Sequence, residues 1–438
     1  MNELTADATA LVRRLQAREL SATELAESLL TTLAADELAA WECVDADQLL
    51  AQAAALDGLD DAARWRLPLF GVPVAIKDAF DTTDLPTGYG SRLFAGHRPG
   101  RDAETVVRLR HAGALIVGKT KCTEFSWMSA TDTRNPLAPG RTPGGSSSGS
   151  AAAVAAGQVP LATGTQTAGS TIRPGSYCGV LGYKPTFATF PRAGVFPLAA
   201  SLDTVGVFAR SVVDLRLVSG VLAAADPLEP TIRRALPLVG AGDTGRPPRV
   251  GFIRTPWWAD VEPESQRAIE TTIDLLRAAG VEVEELLGLG ELQQLAEAHR
   301  VIQWVESAAS LAEEVRASPE LVSDALREAL AEGTAIPFEH YRVARASAGA
   351  LTATVDDALA RFDGVLTPSA HGVPPEGLEF TGDPLFCRAW TLIGAPCISL
   401  PVAWTAQHLP VGVQLVGARH RDHRLLDAAA KLLELATG

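Results

Sequence analysis

Apolar side chains recur at every third or fourth position through residues 3–60, with polar ones between them, a spacing that predicts a helical N-terminal arm. Within it, Ser21-Ala22-Thr23-Glu24 forms a capping box that opens a helix over TELAESLLTTLAA. The period then shortens to two. In LFGVPVAIKDAF, Val72, Val74 and Ile76 alternate with Pro73, Ala75 and Lys77, which predicts a strand with Lys77 near its C-terminal end. ETVVRLRHAG reads as a helix and ALIVG as a short apolar strand, so the two kinds of element alternate. Residues 134–210 break the rhythm: they are dense in Gly, Ser, Thr and Pro, yet too long for an idle loop in a compact chain. A connector is expected over 225–247, a strand at RVGFI, helices over 263–362 and a strand at FDGVLTPSA. APCISLPVAW and LPVGVQLVG predict two strands joined by a turn, closed by the helix HRLLDAAAKLLELA. No fixed-period repeat is visible.

Composition narrows the class. With 438 residues, 47% of them hydrophobic and 21% charged, the chain buries a sizeable core and does not read as disordered. A formal charge of −14 argues against a nucleic acid or an anionic membrane as partner and leaves small molecules. MNELTADATALVRR lacks a basic-then-apolar leader, and runs such as GALIVG and AAAVAAG are too short to span a bilayer, so a cytoplasmic location is expected. Cys43, Cys122, Cys178, Cys387 and Cys397 are scattered and odd in number, with no CxxC pair, which indicates neither a disulfide framework nor a zinc site. They read as reduced core thiols.

Three short motif matches mislead. Residues 113–120, GALIVGKT, fit GxxxxGK[ST], but a P-loop curls around phosphate, whereas Ala-Leu-Ile-Val is a buried-strand sequence. Val74-Ala75-Ile76-Lys77 and His420-Arg421-Asp422 spell fragments of kinase motifs, yet no GxGxxG precedes the first and too little chain follows the second. Gly145-Ser146-Ser147-Ser148-Gly149 fits the GxSxG elbow, which would make Ser147 a nucleophile. The preceding PLAPGRTPG is no strand, and the eight histidines stand in unremarkable settings for a base.

What remains is a pair of serine turns. Ser146 stands in GGSSSG, and Ser170 follows Gly169 in GTQTAGSTIRP. Between them SAAAVAAGQVP reads as a short helix with small sides, ended by Gly157 and Pro160, able to pack closely and hold the two turns face to face.

These residues carry a resemblance. TPGGSSSGSAAAVAAG, GTQTAGSTIRPGSYCGVLGYKPT and LDTVGVFARSVVDL, with VPVAIKD upstream and TPSA, TGDP, APCISLPVAW and LPVGVQLVG downstream, resemble the amidase signature family over most of the chain. The resemblance implies an α/β fold with a large mixed central sheet flanked by helices on both faces. It implies one domain over 1–438: a helical arm at 1–62, the signature core at 71–210, a variable substrate-pocket region at 211–360 and the C-terminal part of the sheet at 361–438. By position, Lys77 is the family's lysine, Ser146 its serine in a cis peptide bond and Ser170 its nucleophile. The oxyanion donors are the backbone N–H groups of Thr167, Ala168, Gly169 and Ser170. Ser147, Ser150, Thr165 and Gln166 are supporting residues. The roles make chemical sense, because burial disfavours an ammonium ion and a neutral lysine can take a proton relayed through a hydroxyl. Cys178, inside the signature, reads as core.

The chain also departs from the family. Ala168 stands where glycine is usual, and its methyl is expected to narrow the pocket or tilt one donor without abolishing the site. Gln166 and Ile172 replace an aspartate and an arginine, while Arg173 appears one place later. That variant is similar to malonamidase-type members and implies that Arg173 binds a substrate carboxylate, against the plainer reading that it braces a loop. Tryptophans such as Trp257, Trp258 and Trp304 are candidates for an apolar pocket wall or for plain core.

The expected activity is hydrolysis of a linear amide of a small molecule through a seryl acyl-enzyme. A carbamate (urethane) or aryl-amide hydrolase and a glutamine-hydrolysing amidotransferase A-type subunit are the alternatives, with a noncatalytic binding protein on the same fold behind them. No metal and no cofactor are expected; the expected partner is the small-molecule amide or carbamate, with a homodimer as a possible assembly.

Overall fold

A computed structural model describes residues 5–223, 247–287 and 289–437. The connector expected over 225–247 lies almost entirely outside them. Eleven strands form one mixed sheet: β1 (Trp41–Val44), β2 (Pro73–Lys77), β3 (Leu115–Thr120), β4 (Leu161–Gln166), β5 (Leu181–Lys184), β6 (Thr204–Ala209), β7 (Arg249–Phe252), β8 (Glu282–Glu285), β9 (Gly364–Pro368), β10 (Cys397–Ser399) and β11 (Val413–Val416). Their order is β1-β3-β2-β4-β6-β5-β10-β11-β9-β7-β8. β2 runs parallel to both β3 and β4, β7 runs parallel to β8 and β9, and the remaining pairs are antiparallel.

Alternation along the strands divides the core in two. Val74, Ile76, Val205, Val207, Leu366, Ile398, Val413 and Leu415 pack on one face with the helices Glu104–His111, Val212–Leu222, Pro263–Ala278 and Asp422–Thr437. Their neighbours Ala75, Phe208, Val365, Cys397 and Val416 turn to the other face. There they meet the N-terminal helices and the helix Ser148–Ala155 on one side, and the helices Glu291–Ala317 and Leu385–Leu392 on the other. A sheet covered on both faces explains why its central strands read as nearly continuous apolar runs. Lys77 shares the parity of Ala75, so the strand itself turns it toward the helix Ser148–Ala155.

The capping box forms as expected: Ser21 Oγ accepts from Glu24 N at 3.1 Å, and Glu24 Oε2 accepts from Ser21 N at 2.9 Å. Two strands depart from the expected pattern. β1 interrupts the helical arm and pairs with β3, and β8 interrupts the helices of 263–362 as an edge strand beside β7. The misleading GKT text is β3, whose Lys119 is buried against Asp78 at 3.2 Å and faces no phosphate cradle.

Candidate active site

Lys77 ends β2, and its side chain is wholly buried. Its Nζ lies 2.7 Å from Ser146 Oγ and 2.5 Å from Thr165 Oγ1, while its backbone N–H donates to Thr163 Oγ1. Among the described residues no carboxylate lies within ion-pair distance of that amine. Burial therefore acts almost unopposed and pushes its pKa down to about 8.

The serine run wraps the start of the helix Ser148–Ala155. The Gly145-Ser146 peptide is cis, and Ser146 is buried with its carbonyl accepting from Thr123 N. Ser147 Oγ lies 3.4 Å from Thr165 N, Ser148 Oγ donates to Gly144 O at 2.7 Å, and Ser150 Oγ pairs with Thr120 Oγ1 at 2.7 Å. The neighbouring serines thus fasten the turn to β3 and β4. Gly149 is required by contact: a Cβ there would land on the carbonyl oxygen of Ala40 and come within 2.7 Å of Lys121 N.

The second turn runs from β4 into the helix Ile172–Tyr177. Gln166 Oε1 accepts from the N–H groups of both Thr171 and Ile172 at 3.0 Å, and its Nε2 donates to Thr391 Oγ1. A neutral amide thus closes the turn where an aspartate is usual, and Ile172 enters the core instead of forming an ion pair. Ser170 sits between, buried except for about 8% of its surface. Among the described residues the N–H groups of Ala168, Gly169 and Ser170 donate to no protein acceptor, and no hydrogen bond joins Ser170 Oγ to Ser146 Oγ.

Arg173 links the two turns. Its Nη2 donates to the Gly145 carbonyl at 2.7 Å and its Nε to the Thr381 carbonyl at 2.7 Å, whereas Nη1 is buried without a partner beside Gly169. The guanidinium thus braces a loop and keeps one nitrogen without a protein partner. Burial pushes its pKa down, with no carboxylate in ion-pair contact among the described residues.

A cavity of about 180 Å³ adjoins the site, with Thr165, Thr167, Ser126, Phe196, Leu198 and Asp203 in its wall. These residues belong to 126–205, so the walls of this cavity do not come from 211–360. The three tryptophans singled out are packing residues: Trp257 meets Phe386, Trp258 meets Phe252 and Trp304 meets Trp127, all edge to face. The region 211–360 reaches the site differently, through His299 on the helix Glu291–Ala317, whose Nε2 donates to Thr167 O at 2.8 Å. His299 is fully buried. Asp203 accepts from Thr167 Oγ1 at 2.6 Å, and burial raises its pKa to about 6. Neither residue carries a local sequence signal; an acid in the otherwise uncharged SLDTVG is the nearest to one. Cys178 is buried in the core as expected, and all five thiols are free.

The amidase family profile matches residues 24–426. The chain belongs to the amidase signature family. The A component of the glutamyl-tRNA(Gln) amidotransferase of Koribacter versatilis is 31% identical over 478 aligned positions, covering 100% of this chain and 99% of that protein. A crystal structure of an amidase superposes with a TM-score of 0.87 at 30% identity, over 98% of this chain and 99% of that one. The peptide amidase of Stenotrophomonas maltophilia superposes with a TM-score of 0.85 at 29% identity, over 99% and 97%. The amidase signature fold is therefore the fold of this chain, which makes it an enzyme of carbon–nitrogen bonds, either a hydrolase or an amidotransferase component. No helix among the described residues is long and apolar enough to cross a membrane.

Proposed function

We propose that this amidase hydrolyses the amide bond of a small molecule through an acyl-enzyme on Ser170, with Lys77 as base and Ser146 as relay. The observation that carries the reading is the buried amine of Lys77, without an acid beside it, 2.7 Å from the Ser146 hydroxyl. A neutral amine has one lone pair. Donating to Thr165 Oγ1 leaves that lone pair to accept from Ser146.

As Ser170 Oγ attacks the substrate carbonyl, a C–O bond forms and the carbonyl π pair moves onto oxygen. The Ser170 proton passes to Ser146 Oγ while the proton of Ser146 passes to Lys77 Nζ. Reversing the relay protonates the leaving nitrogen as the C–N bond breaks, and water resolves the ester by the same path. The reading requires the Ser170–Ser146 hydrogen bond to close when substrate binds, as catalytic contacts of ligand-free enzymes often do. The unengaged N–H groups of Ala168, Gly169 and Ser170 suit the developing oxyanion; one such donor is worth on the order of 3 kcal/mol.

The unspent Nη1 of Arg173 supports a carboxylate on the substrate, since a guanidinium nitrogen buried without a partner gains most from an anion. The full-length similarity to the A components of amidotransferases supports a second reading, ammonia release from glutamine for a partner protein. Ammonia release by the purified chain from malonamate, propionamide, p-nitroacetanilide, ethyl carbamate and glutamine separates the two. The reading expects malonamate to be turned over best and Ser170→Ala to abolish turnover. Glutamine as the preferred substrate transfers the conclusion to the amidotransferase, and undiminished Ser170→Ala activity overturns both.

A further inference from the structure

The carbonyl ends of the turn carry an inference about how its N–H ends are aimed. In a trans peptide the C=O of one residue and the N–H of the next lie in one plane and point in opposite directions. The peptides Thr167-Ala168 and Ala168-Gly169 are both trans. Each has its carbonyl held by a side chain from a distant helix. Thr167 O accepts from His299 Nε2 at 2.8 Å, and Ala168 O accepts from Thr391 Oγ1 at 2.7 Å. The opposite ends of those two planes are the N–H groups of Ala168 and Gly169, which have no protein acceptor among the described residues.

We propose that His299 and Thr391 are positioning residues that hold two successive carbonyls outward and so aim the Ala168 and Gly169 N–H groups at the substrate oxyanion. Each hydrogen bond has a fixed direction. A carbonyl only accepts, so His299 carries its proton on Nε2, which leaves Nδ1 as an acceptor, and that atom is buried without a partner. A core chosen for packing alone would not keep an unmatched lone pair at a fully buried position, where an aliphatic side chain avoids the penalty. Burial also pushes the imidazole down to about 3, so it stays a neutral, single-proton donor across the working range. Thr391 is oriented in its turn: its oxygen accepts from Gln166 Nε2 at 3.0 Å, and of the two carbonyls within reach of its one proton, Ala168 O at 2.7 Å is closer than Cys387 O at 3.0 Å. Two helices outside the serine turns thereby set the angle of the donors, and Asp203 fixes the Thr167 side chain from a third direction.

The inference rests on Ser170 as nucleophile, and its test separates the two claims. Wild type, His299→Leu, His299→Gln, Thr391→Val and Thr391→Ser are compared for kcat and KM on p-nitrophenyl acetate and for inhibition by trifluoroacetone. With the ketone, Ser170 Oγ forms a C–O bond, the π pair moves to oxygen and the proton travels through Ser146 to Lys77, giving an oxyanion adduct without a leaving group. His299→Leu and Thr391→Val are expected to lower kcat about tenfold or more with KM little changed, and to weaken trifluoroacetone by a similar factor. His299→Gln and Thr391→Ser, which keep a donor, recover most of both. A purely structural role would lower melting temperature without the matched loss in kcat and ketone affinity, and that result overturns the proposal. Should one apolar variant fail to fold, the other, on a separate helix, decides. If Ser170→Ala keeps ester turnover and inhibition, the nucleophile reading has failed; if it is inactive while folded His299→Leu and Thr391→Val match wild type, only the positioning claim has failed.

Discussion

Two buried lysines sit on neighbouring strands, and the difference between them isolates the chemistry. At Lys119 burial also pushes the pKa down, but Asp78 at 3.2 Å offsets part of that shift. Lys77 has only hydroxyl partners at its amine and no acid in ion-pair contact to offset burial, and its pKa falls from 10.5 to about 8. The consequence for stability has a definite sign. Between pH 8 and 10.5 the unfolded chain binds the proton that the folded chain has already released, so folding gains stability as pH rises through that window. Relative to Lys77→Met, wild type is expected to gain up to about 3 kcal/mol across it, read by urea denaturation at a series of pH values. An unchanged difference would mean that the lysine is not depressed. Lys77, Ser146 and Ser170 were legible in the sequence because they lie inside long ordered motifs. His299 and Thr391 were not, because their partners are backbone carbonyls 132 and 223 residues away, and a backbone acceptor leaves no mark on residue type.

Elements were legible where one period persists. The capped helix Ala22–Ala34 and the strand ending at Lys77 follow directly from spacing. The four-residue strands β1 and β8 do not, since each depends on a partner distant in sequence. β1 is recruited by β3, and β8 is a charged edge whose Glu284 and Glu285 meet Arg249 and Arg254, a composition that discourages pairing with another chain. The helix Ser148–Ala155 tests whether small residues in the signature serve packing. Gly149→Ala would drive a methyl into the Ala40 carbonyl and is expected to destabilise the protein by about 1–3 kcal/mol or more in chemical denaturation. A neutral result would mean that the backbone at Ala40, just before β1, yields without cost.

At the scale of the molecule, the mixed sheet brings a strand end, two serine turns and two distant helices to one place, and this convergence is what the linear sequence displays least. Its sheet architecture was legible through the family resemblance, while the cavity beside the site, walled from 126–205, was not. The proposed mechanism rests on one condition, a lysine that is neutral when substrate arrives. The most direct measurement is kcat/KM for the best amide substrate against pH, with the fold monitored at each point, because that ratio reports ionisations of the free enzyme. A single rise with an inflection near pH 8 and a plateau above it is expected. A rate that is flat through that range, or that falls above it while the fold is intact, would contradict a neutral Lys77 as the base.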